Sequence, residues 1–295
     1  MPWQINLFFK KITMKIITPL IYLFACPLVI SAQTETVKVT GIIYYSTSHL
    51  YDTIENKTFT ETSVLYFGNN QSLFRSLDYL QGMESAKKKA LAGQSDMGLV
   101  TTKGSSEKYY TNLITKKITR VQTNGMVSVY VSPKQYVMPE PMEKTAWTIT
   151  KETRKIGDYL CQKAMGMCRG RYYTAWFAPD IPYSFGPWKL NGLPGLILEA
   201  EDKRNHVIFR FNRIEFPLDR TETIEPVTNT ILTTEVEFER MRETPPPSTP
   251  PPAGVTVLSS GLVDAQGKPV VKQKRRNDFN NPMDLISRLP RLFMQ

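Results

Sequence analysis

These 295 residues read as a mainly β protein built on a curved antiparallel sheet, a bowl or open half-barrel, with one or two short helices. Three observations carry that expectation. Strand-length apolar runs recur along the chain, most of them bounded by Gly, Pro, Asn or Asp. Within the clearest run, residues 206–216, Val207, Phe209 and Phe211 share one face while Ile208, Arg210 and Asn212 share the other. That is the period of a strand with an apolar and a wetter side. Helical spacing is scarce, and a sheet assembled from so many strands is too wide to stay flat.

The first strand is expected from Thr36, where Val37, Val39, Gly41 and Ile43 alternate with neighbours and Tyr44-Tyr45 continue the run. Further strands are expected at 63–67, 116–122, 126–131, 147–153, 159–164, 171–178, 196–201 and 206–216. Asn124-Gly125 is the strongest hairpin signal, and Asp202-Lys203-Arg204-Asn205 supplies a second turn. Helices are expected at 83–92, closed by Gly93, and at 232–242, stopped by the prolines that follow.

Residues 1–32 read as a signal peptide: Lys10, Lys11 and Lys15 precede an apolar run from Ile16 to Ile30, which ends in Ser31-Ala32. Met14 is a plausible alternative start. Thr18 and Pro19 and the shortness of the run argue against a membrane-spanning helix. Cys26 offers a lipid-anchor reading, against which the apolar Leu28-Val29-Ile30 beyond it argue. The segment holds three lysines and no acid, so its removal lowers the formal charge from +10 to +7. Lys87-Lys88-Lys89 and Lys274-Arg275-Arg276 are short runs without a nucleic-acid motif and read as solvated surface. Residues 33–295 are expected to form one domain, with Thr244 to Pro252 (TPPPSTPPP) as a stiff polyproline spacer.

The most unusual stretch runs from Trp176 to Ala200, WFAPDIPYSFGPWKLNGLPGLILEA. Pro179, Pro182, Pro187 and Pro194 each fix φ and remove an N–H, so this is a shaped connection rather than a central strand. In Gly192-Leu193-Pro194-Gly195, Pro194 suits position i+1 and Gly195 position i+2 of a type II turn, with Leu196-Ile197 starting a buried strand. The alternative is that Gly192 and Gly195 bring backbone N–H groups close to an anion. Trp176, Phe177, Tyr183, Phe185 and Trp188 pose a parallel choice, between a plug for the open end of the sheet and a platform for a ligand.

Gly192 to Ile197 spells GLPGLI, and the chain resembles the family named for that hexapeptide. The likeness extends over Trp147, Ile156-Gly157-Asp158-Tyr159, Cys161, Lys163-Ala164, Gly170-Arg171, Trp176-Phe177, Ile181-Pro182 and Gly186-Pro187, with Asn281-Pro282 late in the chain. The resemblance implies an exported protein of a two-membrane bacterium, placed in the periplasm or outer envelope, and supplies no activity. Cys168 and the polyproline segment lie outside that pattern.

Chemistry-bearing groups are few. His49 and His206 are the only histidines, too few for a histidine-rich zinc site, and no phosphate loop, dinucleotide fingerprint or nucleophile elbow is present. Asp180, Glu199, Glu201 and Asp202 are the carboxylates that a hydrolase near the rigid loop would use. Cys161 and Cys168 are the cysteines left after signal removal, and in an oxidising compartment a disulfide is the leading reading. Met165 and Met167 between them offer a soft-metal alternative suited to Cu(I). No cofactor is expected. The function anticipated is a non-catalytic envelope protein that binds an apolar or amphipathic ligand, beneath residues 177–190, or an envelope partner. An exported hydrolase is the alternative.

Overall fold

The computed structural model describes residues 36–52, 55–94, 103–123 and 134–243. The proposed signal segment 1–32, the Asn124-Gly125 turn, the 126–131 strand and the 244–252 spacer lie outside the described residues. β2 (Gly41–Asp52), β3 (Lys57–Phe67), β4 (Gln71–Ser76), β5 (Lys108–Asn112), β6 (Lys117–Thr123) and β7 (Gln135–Pro141) form one antiparallel meander. A second meander holds β8 (Trp147–Ile156), β9 (Tyr159–Cys168), β10 (Arg171–Ala178), β11 (Leu196–Asp202) and β12 (Val207–Glu215). β12 pairs with β2 and joins them into a single twelve-stranded sheet. β14 (Thr230–Leu232) runs parallel to β7 at one edge, β8 is the other edge, and the curved sheet stays open. β1 (Val37–Lys38) and β13 (Thr223–Ile224) make a separate two-stranded pair.

Sidedness follows from alternation. Ile43, Tyr45, Leu65, Phe67, Phe74 and Tyr109 point to the inner face, which is covered by residues 179–195 between β10 and β11. Ile42, Tyr44, Val64 and Leu73 point outward and pack with Val39, Ile224 and the first turns of α1 (Leu77–Leu91) through Leu77 and Leu80. The middle strands therefore bury both faces, which is why β2 opens as an unbroken apolar run rather than a strict alternation.

The helices differ from their expected limits for capping reasons. Ser76 accepts the Tyr79 N–H at 3.1 Å, so α1 begins at Leu77 rather than at residue 83. In α2 (Glu235–Glu243), Thr234 Oγ1 accepts from the Glu237 N–H at 3.2 Å while Glu237 Oε2 accepts from the Thr234 N–H at 3.1 Å. This capping box starts the helix after Thr234 and leaves Leu232 to β14. β4, β5 and β7 were not expected from the sequence: the first two are short and rich in polar residues, and the last carries Pro139 and Pro141.

Candidate functional site

Residues 179–195 fill the inner face. Ile181, Phe185, Trp188, Leu190 and Leu193 are each at most 1 % exposed. The segment doubles back on itself: the Gly192 N–H donates to Ser184 O at 3.1 Å, Leu196 N–H to Ile181 O at 3.0 Å and Ile197 N–H to Phe185 O at 2.9 Å. Trp147 Nε1 on β8 donates to Asn191 O within the segment at 2.8 Å, and the Tyr45 hydroxyl on β2 donates to Ile197 O at 2.7 Å, at the start of the β11 strand that follows it. Trp188 sits edge-on to Tyr109 with ring centroids 6.4 Å apart. Its φ of +55° is the left-handed region that a bulky side chain enters only when its surroundings dictate it.

The hexapeptide works differently from the expected type II turn. Gly195 has φ +159°, far from the roughly +80° of such a turn. A Cβ there would lie 2.3 Å from Ala178 O, so glycine is required by the close approach of two backbones. Gly192 does need its freedom, at φ +91°, although a Cβ there would meet only Trp147 Nε1, at 3.9 Å. Leu193, Leu196 and Ile197 are buried core. Phe177 is buried on the inner side, whereas Trp176 faces outward beneath the Arg154 guanidinium, 4.3 Å from its ring centre.

Asp180 is exposed, whereas Lys189, at 2 % exposed, is the one buried charge in this segment. Its Nζ lies 2.8 Å from Glu140 Oε1 on β7, and Glu140 Oε2 in turn meets Arg169 at 2.9 Å. A few residues away Arg120, on β6, bonds Glu107 and Glu235 at 2.6 Å each, and Gln122 at 2.6 Å. The Tyr109 hydroxyl donates to Glu107 at 2.6 Å. Burial pushes the Glu107 carboxyl up, but Arg120, Tyr109 and Lys189 outweigh it and hold the group below its usual range. Burial likewise opposes the Arg120 charge, and Glu107, Tyr109 and Glu235 more than offset it.

Beside this network β14 stops at Leu232, and the edge of β7 from Met138 to Glu140 continues uncovered. Pro139 and Pro141 have no N–H to offer a further strand. A cavity of about 440 Å³ opens there, with Met138, Pro139 and Leu232 as its apolar lining and Arg120, Glu140, Thr233, Thr234, Glu235 and Glu237 as its polar one. α2 closes one side, anchored by the fully buried Phe238, which packs on Tyr136 at 5.2 Å.

The sequence pointed to the plug and missed the cavity. Its available signal was Lys189, a lone charge inside an apolar run, which demanded a buried acid somewhere in the fold. The carboxylates considered for hydrolysis do not converge. Glu199 and Glu201 share the outer face and pair with Arg154 and Arg210, Asp202 is buried on Arg171 at 2.8 Å, and Asp180 is exposed in the loop.

The expected disulfide is corrected. Cys161 and Cys168 are both free thiols, at two positions of the single strand β9. Seven residues of extended chain span about 23 Å, well beyond the roughly 4.4–6.8 Å between the Cα atoms of a disulfide. The same separation rules out one soft-metal centre shared by both thiols. Among the described residues no group of three or more His, Cys, Asp or Glu is placed to hold a metal ion, and no helix is long and apolar enough to cross a membrane.

A wide open sheet with a folded-back plug on its inner face and a side cavity defines this protein structurally. Residues 168–199, which contain the GLPGLI hexapeptide, match the model of an uncharacterised bacterial family described as "Protein of unknown function (Porph_ging)". No curated protein matches the chain. Two solved structures of PNGF-II, in P21 and C2 space groups, are similar at 14% and 13% identity with TM-scores of 0.44 and 0.43. They cover 70% and 71% of this chain, which spans only 33% of each of theirs.

Proposed function

We propose that this is an exported, non-catalytic envelope protein that holds a single-chain amphiphile in the cavity between β7 and the start of α2. The observation that carries the reading is a cavity of about 440 Å³ whose lining includes Met138, Pro139 and Leu232 and whose charged groups already have partners. That size is within the range of small-molecule sites, and a lining with an apolar part and a polar part suits an amphiphile rather than a wholly apolar guest. Arg120 pairs with Glu235 and Glu140 with Lys189 and Arg169, whereas among the described residues Glu237 is held by Thr233 and Thr234 alone, so the head group is neutral or cationic rather than a carboxylate. Export rests on the basic and apolar pattern of residues 1–32.

The test is fluorescence titration of the chain beginning at Gln33 with a labelled monoacylglycerol and a labelled alkylamine, in wild type and Leu232→Ser. Leu232 is 75% exposed, so the substitution leaves the core alone. Saturable binding that weakens severalfold in the variant is expected. Absence of saturable binding, or equal affinity in both proteins, would overturn the reading.

A further inference from the structure

On the outer face, away from the cavity, β4 and β5 place Arg75 directly opposite Lys108 in the antiparallel register. Like charges facing each other across a ladder repel, and sheets normally separate them or supply an acid. No acid among the described residues is supplied here. Among the described residues neither side chain makes an ion pair, the buried Arg75 Nε has no hydrogen-bond partner, and Lys108 donates only to Gln135, at 2.9 Å. The groups that Arg75 senses are the phenols of Tyr66, Tyr110 and Tyr79, the last reaching over from α1. Both cations are half-buried, so solvent still reaches them. Burial, with Arg75 adding to it, pulls the Lys108 amine down to about 8.

A desolvated cation pair with no counter-charge is an unfavourable arrangement that an arriving anion relieves. The guanidinium offers a planar fork to two oxygens, the ammonium a point charge, and the phenols further donors. Two unneutralised positive charges match a dianion better than a monoanion. We infer that Arg75 and Lys108, framed by Tyr66, Tyr79 and Tyr110, form a binding site for a tetrahedral dianion, a phosphate or phosphomonoester group. This site is independent of the amphiphile cavity.

The experiment is calorimetric titration of the intact protein with inorganic phosphate, sulfate and acetate, repeated with Arg75→Leu and Lys108→Met. One-to-one binding of phosphate and sulfate, much weaker acetate binding, and a loss of about tenfold or more in either variant are expected, as for a charge-assisted bond removed. Removing a half-buried cation that has no counter-charge should leave thermal stability unchanged or raised, which separates lost binding from lost fold. The unaltered protein gives a second measurement: phosphate should slow acylation of the Lys108 amine by an amine-reactive ester, read by peptide mass spectrometry. Vesicles of phosphatidylcholine with and without phosphatidic acid identify the source. Pelleting with the acidic vesicles, reversed by inorganic phosphate, assigns the site to a lipid head group; phosphate binding without pelleting assigns it to a soluble phosphate. No phosphate or sulfate binding, binding undiminished in both variants, or acylation of Lys108 indifferent to phosphate would overturn the inference.

Discussion

Lys189 Nζ and Glu140 Oε1 are 2.8 Å apart, and this contact ties the plug to the strand that borders the cavity. One is on the loop between β10 and β11, the other near the end of β7, so a single ion pair spans the two meanders of the sheet. Removing one member of an ion pair takes from a buried charge its nearest counter-charge. Glu140→Gln should therefore destabilise by about 3 kcal/mol, because the buried Lys189 ammonium loses the carboxylate 2.8 Å away. Lys189→Met should cost less, since Glu140 keeps Arg169 and the methionine stays apolar. Urea denaturation of both variants checks the order, and a reversed order would mean that Lys189 is held chiefly by other groups.

The two glycines of the hexapeptide should respond unequally. Gly195→Ala puts a Cβ against Ala178 O and must push β11 away from the end of β10, at a cost of about 3 kcal/mol. Gly192→Ala meets nothing closer than 3.9 Å and carries only the positive-φ penalty, about 1 kcal/mol. Pro194→Ala should lie below both. Thermal melts of the three proteins measure this, and equal losses for the glycine variants would remove the close-approach argument.

His49 supplies a pH dependence. Burial pushes its imidazole down to about 4, with Glu107 pulling it up and Arg171 adding to the fall. The folded value lies below the unfolded one of about 6.5, so the stability is fully present above pH 6.5 and is lost as pH falls toward 4. Between pH 6.5 and 5 the wild type should lose on the order of 2 kcal/mol. His49→Gln should be nearly flat over that window, and parallel curves for the two proteins would contradict the assignment.

The thiols should be inert. Burial raises both Cys161 and Cys168 to about 11, so little thiolate exists at neutral pH. In a chain beginning at Gln33, dithiothreitol should not shift the melting temperature, and Ellman's reagent should find two thiols only after unfolding. A reduction-sensitive melt would restore the bridge.

What the sequence disclosed depended on whether neighbouring residues alone decided the outcome. β10 was expected at 171–178 and occurs there, because Tyr173, Ala175 and Phe177 alternate with Tyr172, Thr174 and Trp176 and the element sits between Gly170 and Pro179. β4, QSLFRS, has no such contrast. Its Ser72 and Ser76 are buried because neighbouring strands and the 103–107 segment enclose them, a fact no local window contains. The plug was legible from its prolines and aromatics. The cavity was not, because Arg120, Glu140 and Glu235 come from β6, β7 and α2 and meet only through the register of the sheet. The disulfide expectation failed for a related reason: spacing of seven suggests proximity in a hairpin, whereas β9 runs straight through from Tyr159 to Cys168.

The order of the strands also says how the molecule assembles. Within the sheet, apart from the short β14 pairing, every ladder except β2 with β12 joins strands consecutive in the chain. Each meander can close on itself with little loss of chain entropy, while the β2–β12 seam waits for ends far apart in sequence. The seam and the plug are therefore late events that weld two preformed halves. Residues 142–146 link the halves, and Lys144 within them is exposed. Two polypeptides divided after Lys144 should co-purify when expressed together and aggregate when expressed apart, each presenting an open strand edge and half of an unfilled core.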